Sequence, residues 1–134
     1  MTPGELAAVR ASWSELRPRR AVLVPALVRR YEELGVSDAH ERAGWLTDAV
    51  DELVDHLGCP SRLGVRAREV AQTWVDAASG PTFAVDGRAW LAAARDCSAQ
   101  WTAPVERAWR QGWLLLSEEL DAEALSPFGD VGRG

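Results

Sequence analysis

One stretch limits what this chain can fold into: Trp101 to Leu120, read Trp-Thr-Ala-Pro-Val-Glu-Arg-Ala-Trp-Arg-Gln-Gly-Trp-Leu-Leu-Leu-Ser-Glu-Glu-Leu. Thr102 is a natural N-cap, because its hydroxyl accepts from a first-turn N–H that lacks a carbonyl partner. Pro104 follows in the same turn, where a missing N–H costs nothing. Val105, Trp109, Gly112 with Trp113, Leu116 and Leu120 then recur every three or four residues. That spacing predicts a long final helix with one broad apolar face, which other elements must cover.

The rest of the chain supplies those elements as helices. Thr2-Pro3-Gly4-Glu5 spells a capping box with proline at the first helical position. It opens a helix carrying Leu6, Val9, Trp13 and Leu16, which Pro18 is expected to stop. A second helix is predicted over about 19–34, with Val24, Leu27, Val28, Tyr31 and Leu34 inward, Pro25 inside it and Gly35 as its stop. Ser37 is expected to cap a third, running to Leu57 with Leu46, Val50, Leu53, Val54 and Leu57 on one face. Gly58 ends it and Cys59-Pro60-Ser61 forms a corner. A fourth helix over about 62–77 carries Val65, Val70 and Trp74, and Ser79-Gly80-Pro81 makes a turn. The fifth, over about 83–100, places Phe83, Trp90, Leu91, Ala94 and Cys97 inward. Beyond Leu125 the run Ser-Pro-Phe-Gly-Asp-Val-Gly-Arg-Gly is rich in helix breakers. We therefore expect one all-α domain over residues 1–125 and a flexible tail over 126–134.

Composition narrows the function. A chain of 134 residues can bury a self-sufficient core. Every basic residue is Arg, and Lys, Ile and Asn are absent, a bias that mirrors GC-rich codons and points to a bacterial genome. The net charge of −5 argues against nucleic acid, which wants a clustered basic face. Two distant Cys without CxxC spacing indicate neither a disulfide framework nor a zinc site. No segment reads as a signal peptide or membrane span, so a soluble cytoplasmic protein is expected. The sequence holds no Ser/His/Asp or Cys/His constellation, paired carboxylates, phosphate loop or metal motif, so no enzyme is expected.

Six helices in this order, ending in the opening stretch, resemble a globin. Val9 to Trp13 (Val-Arg-Ala-Ser-Trp) is similar to the family's first helix, and Trp-Thr…Val-Glu-Arg-Ala-Trp to the last helix of bacterial single-domain globins and flavohaemoglobins. Phe83-Ala-Val-Asp-Gly-Arg-Ala-Trp-Leu resembles the helix before it, and Leu46 to Leu57 falls where the distal helix crosses the haem pocket. The resemblance implies a haem protein that binds oxygen or nitric oxide, and a dimer through the last two helices, with Trp109 or Trp113 at the seam. It also implies a proximal histidine, whose slot falls on Trp74, or on Thr73 after a one-residue slip. Trp offers only an N–H donor and cannot ligate iron as imidazole does. The connection between the second and third helices is short and lacks the stacking Phe, Val28 stands where many bacterial globins carry Tyr, and the distal stretch Arg42 to Trp45 has no His or Gln.

The residues therefore lean toward a haem-free member of that class, acting as a small-ligand sensor or protein-interaction domain. Val28, Trp45, Val50, Val70, Trp74, Phe83 and Trp90 are expected to line or fill the former haem site, since an empty cavity would be destabilising. The partner would be a small apolar ligand or another protein. The alternative is a haem b protein with His56 or Cys59 as an unusual axial ligand. More ordinary roles also fit: His56 suits the negative end of a helix, and Cys-Pro is what a helix stop looks like. His40 reads as solvated and Cys97 as a small buried hydrophobe. Asp48, Asp51, Glu52 and Asp55 read as a solvated acidic face, while Arg17, Arg19, Arg20, Arg29 and Arg30 make the first third locally basic.

Overall fold

A computed structural model describes the backbone of residues 1–77 and 83–133, and the side chains of residues 1–70 and 85–118. The elements are α1 (Pro3–Leu16), a 3-10 turn (Arg17–Arg19), α2 (Arg20–Glu33), α3 (Ala39–Val54), α4 (Pro60–Ala77), α5 (Phe83–Cys97) and α6 (Ala103–Arg133). No strand occurs among the described residues, and no described helix is long and apolar enough to cross a membrane.

The local signals act through their chemistry. Glu5 N–H donates to Thr2 Oγ1 at 3.1 Å and Thr2 N–H to Glu5 Oε1 at 2.8 Å, closing the capping box. Gly35 takes φ +81°, the left-handed conformation that ends α2. Its N–H donates to the Glu32 carbonyl and that of Val36 to the Tyr31 carbonyl, both at 3.0 Å. This turn carries the chain past Leu34, which stays 42% exposed, and buries Val36 in its place. Pro25 lies inside α2 on its exposed side, where the carbonyl it leaves unbonded can meet water.

Boundaries differ from the sequence expectation where a stop residue acts as a start. Pro18 tightens the chain into the 3-10 turn rather than stopping it, so α2 begins at Arg20. Asp38, not Ser37, occupies the N-cap of α3, without a side-chain cap bond. That helix ends at Val54, and Leu57 is buried from the turn that follows. Pro60 opens α4 as a first-turn proline, which shifts the buried face to Leu63, Ala67 and Val70 and leaves Val65 55% exposed. Leu23 takes the buried place expected of Val24. The α6 backbone is helical to Arg133; the expected division at residues 125 and 126 falls where side chains lie outside the described residues.

Chain neighbours are not the only packing partners. α1 packs on α6, α2 on both α5 and α3, and α4 on α6, a pattern unlike an up-and-down bundle. At the centre Trp90 sits between Trp13 and Trp109, ring centroids 5.6 and 5.5 Å away and planes tilted by 51° and 57°. Tilted rings avoid face-to-face repulsion, and each buried indole removes roughly 5 kcal/mol worth of apolar surface from water. Trp13 donates its indole N–H to Asp51 Oδ1 at 3.1 Å and Trp109 to Ser12 Oγ at 2.8 Å, while Trp90 Nε1 has no acceptor among the described residues.

Candidate functional site

Arg42 stands one turn before Leu46 on the inward face of α3, and Asp86 one turn before Trp90 on the inward face of α5. Helical spacing therefore drives a cation and an anion into the interior from two helices. They meet there: Arg42 Nε donates to Asp86 Oδ1 at 2.9 Å and Nη2 to Oδ2 at 3.1 Å, a bidentate pair with both side chains at most 1% exposed. From α2 the Tyr31 hydroxyl donates to the same Oδ1, and the guanidinium lies 5.9 Å from the Tyr31 ring centre.

Burial pushes the Asp86 carboxyl above its ordinary range, while the bonds from Arg42 and Tyr31 pull it back. Burial, and next the Asp86 charge, also raise the Tyr31 phenol well above its usual range. All three groups are sealed from solvent, so the arrangement clamps three helices and offers no face to a reactant.

Three surface clefts stand out among the described residues. The first, about 370 Å³, separates α3 from α4; Trp45, Ala49 and Val70 form its apolar wall, and Asp48, Glu52 and Glu69 its acidic rim. Arg66 spans this rim, 2.9 Å from Glu52 and 2.7 Å from Glu69, while Asp48 is held by Arg20 at 2.8 Å. The second, about 440 Å³, runs between α5 and α6 over Leu91, Trp113 and Leu114, with Arg88 and Arg110 at its edges. The third, about 290 Å³, lies between α1 and α6 beside Glu5, Arg107 and Arg110. At the α5–α6 crossing, Gly87 is required: a methyl group there would run into the Trp113 indole.

Of the residues expected around a former haem site, Trp45 and Val70 share the α3–α4 cleft. Val28 and Val50 are buried in the core, and Trp90 belongs to the indole cluster with α1 and α6. The side chains of Trp74 and Phe83 lie outside the described residues. Trp109 is buried in the indole cluster, and Trp113, though buried, forms part of the wall of the α5–α6 groove.

His56 sits half-buried in the turn after α3, and its N–H donates to the Leu53 carbonyl. Cys59 precedes α4 with its Sγ 3.6 Å from Ser61 Oγ. The Arg62 backbone N–H, then the Ser61 hydroxyl, lower the Cys59 thiol below its ordinary range. Burial raises the thiol of Cys97. Neither His56 nor Cys59 lines the α3–α4 cleft, so its described lining offers iron no imidazole or thiolate ligand. The described residues of that cleft do not fit haem. No group of three His, Cys, Asp or Glu among the described residues could hold a metal ion.

The buried Arg42–Asp86 pair was open to discovery in the sequence. Opposite charges at inward positions of two helices, each in step with an apolar stripe, are the signal. No family model, curated protein or solved structure matches the chain.

Proposed function

We propose that this chain is a haem-free domain of globin-like helix order, without catalytic activity, that works in a bacterial cytoplasm by binding a protein partner at its surface. The observation that carries the reading is the occupation of the interior. Trp13, Trp90 and Trp109 fill its centre, and the Tyr31–Arg42–Asp86 clamp takes the junction of α2, α3 and α5. Emptying that interior would cost several kcal/mol per large side chain, and neither His56 nor Cys59 lines the α3–α4 cleft where the resemblance puts a planar cofactor. The globin-like part of the reading is supported by the order of six helices and by pairings such as α1 with α6 and α2 with α5.

Between a ligand sensor and a docking domain, the described clefts favour docking. Each is a shallow surface groove rather than an enclosed apolar chamber, whereas small-ligand sites bury most of their guest. The test is reconstitution. Purified protein mixed with haemin should give no stoichiometric Soret band and no gain in thermal stability. A tight, red complex whose spectrum changes in His56→Ala or Cys59→Ser would overturn the reading.

A further inference from the structure

Several surface arginines of this acidic chain are neutralised by a carboxylate. Arg17 is held by Asp51, Arg20 by Asp48, Arg30 by Asp96, and Arg66 by Glu52 and Glu69. Other exposed arginines, such as Arg29 and Arg62, have no carboxylate partner among the described residues, and several of this kind gather on the outer face of α5 and α6. Arg88 and Arg95 stand two turns apart on one edge of α5, and Arg107 is exposed on α6; none has an acidic partner among the described residues. Arg110 makes only a 3.5 Å contact to Glu106, with its side chain 62% exposed. Between these arginines lie half-buried Leu91 and Leu114, the latter 52% exposed, along the groove of about 440 Å³.

Apolar surface beside uncompensated positive charge specifies what can cover it. We infer that the α5–α6 groove is a docking site for an acidic amphipathic helix of a partner protein, its leucine-like face on Leu91 and Leu114 and its carboxylates on Arg88 and Arg110. A helix laid in a groove uses apolar residues at three- and four-residue spacing, and acidic residues flanking them meet both banks. A second copy of this chain fits less well. A two-fold pairing sets a patch against itself, so the arginines of one copy would face those of the other. The described lining of the groove contains Arg88 and Arg110 and no carboxylate to answer them from a second copy.

This inference rests on the docking reading above and names its partner class. The probe is a synthetic helical peptide with leucines at helical spacing and glutamates between them. Its controls are the same composition scrambled and a version with lysine for glutamate. Fluorescence anisotropy on the full chain should show saturable binding of the glutamate peptide alone, weakening with salt. Arg88→Glu and Arg110→Glu should each weaken it roughly tenfold and Leu114→Ser by a similar factor. Arg62→Glu, away from the groove, should leave it unchanged. Circular dichroism of each variant shows whether the fold is intact. Equal binding of the lysine or scrambled peptide would overturn the inference. So would a stable dimer, seen by sedimentation, that Leu114→Ser dissociates. Failure of the peptide in a protein that also refuses haem sinks this inference alone, whereas haem uptake sinks the reading beneath it.

Discussion

Two arginine–carboxylate clusters in this molecule have nearly the same chemistry and opposite consequences. Arg42 with Asp86 lies sealed between α2, α3 and α5, each side chain at most 1% exposed. Arg66 with Glu52 and Glu69 bridges α3 and α4 at the surface, at 36%, 49% and 57% exposure. Water solvates and screens the surface charges whether or not they are paired, so the bridge adds little. Inside, removing one partner takes from the other the bidentate contact that offsets its desolvation, so the pair bears directly on how the helices pack. What differs between them is what removal would strand, rather than what contact supplies.

The sharpest way to break this comparison is Asp86→Ala. It deprives buried Arg42 of its bidentate carboxylate and should lower stability by about 3–5 kcal/mol in chemical denaturation. Replacing both partners by apolar residues, Arg42→Met with Asp86→Leu, should recover most of that loss. A single variant as mild as a surface one would show that water reaches the clamp.

Tyr31 tests the same junction through pH. Tyr31→Phe removes a hydrogen bond to a charged acceptor and should cost about 1.5–3 kcal/mol at neutral pH. The sign in alkali follows from the raised phenol. In the unfolded chain it ionises near its ordinary value of 10.0, whereas the fold holds it protonated. Its contribution is therefore complete below pH 10 and declines above it by about 1.4 kcal/mol per pH unit until the folded phenol ionises. The chain has one Tyr and no Lys, so Tyr31→Phe should remove the tyrosine part of the alkaline slope and leave the part that the raised Cys97 thiol supplies.

Gly87, next to Asp86, asks whether α5 is held as firmly from its other side. A methyl group at that position meets the Trp113 indole, so Gly87→Ala should cost about 1–3 kcal/mol by overpacking. A neutral result would mean that α6 yields there, unlike the clamp.

Much of this architecture is legible in the sequence because it is local. The Thr2–Glu5 box, the Gly35 stop and the apolar stripes of α1, α3 and α6 each follow from residues within a turn or two of one another. Leu34 and Val65 escape the reading because the turn at Gly35 and the helix start at Pro60 bury Val36 and Leu63, two residues away, instead, and apolar periodicity alone tolerates either register. Arg42 and Asp86 escape it for a different reason. They are 44 residues apart, and only the packing of α3 near α5 brings them together. Of the candidate site, Trp45 and Val70 on one cleft were within reach of helical spacing; the arginine-edged groove of α5 and α6 depends on which charges end up without partners, which one helix cannot disclose.

The smallest effect is expected where the comparison began, at the surface. Arg66→Ala deletes contacts of 2.9 Å to Glu52 and 2.7 Å to Glu69, neither longer than the Arg42 contacts of 2.9 and 3.1 Å, yet should change stability by less than about 1 kcal/mol. Raising the salt to 1 M should shrink that difference further, since exposed charges are then screened within about 3 Å. The Asp86→Ala loss should persist at the same salt, because ions do not enter the clamp. Salt dependence thus separates the two clusters more cleanly than bond length does: if both variants lose their effect together in high salt, burial is not what distinguishes them.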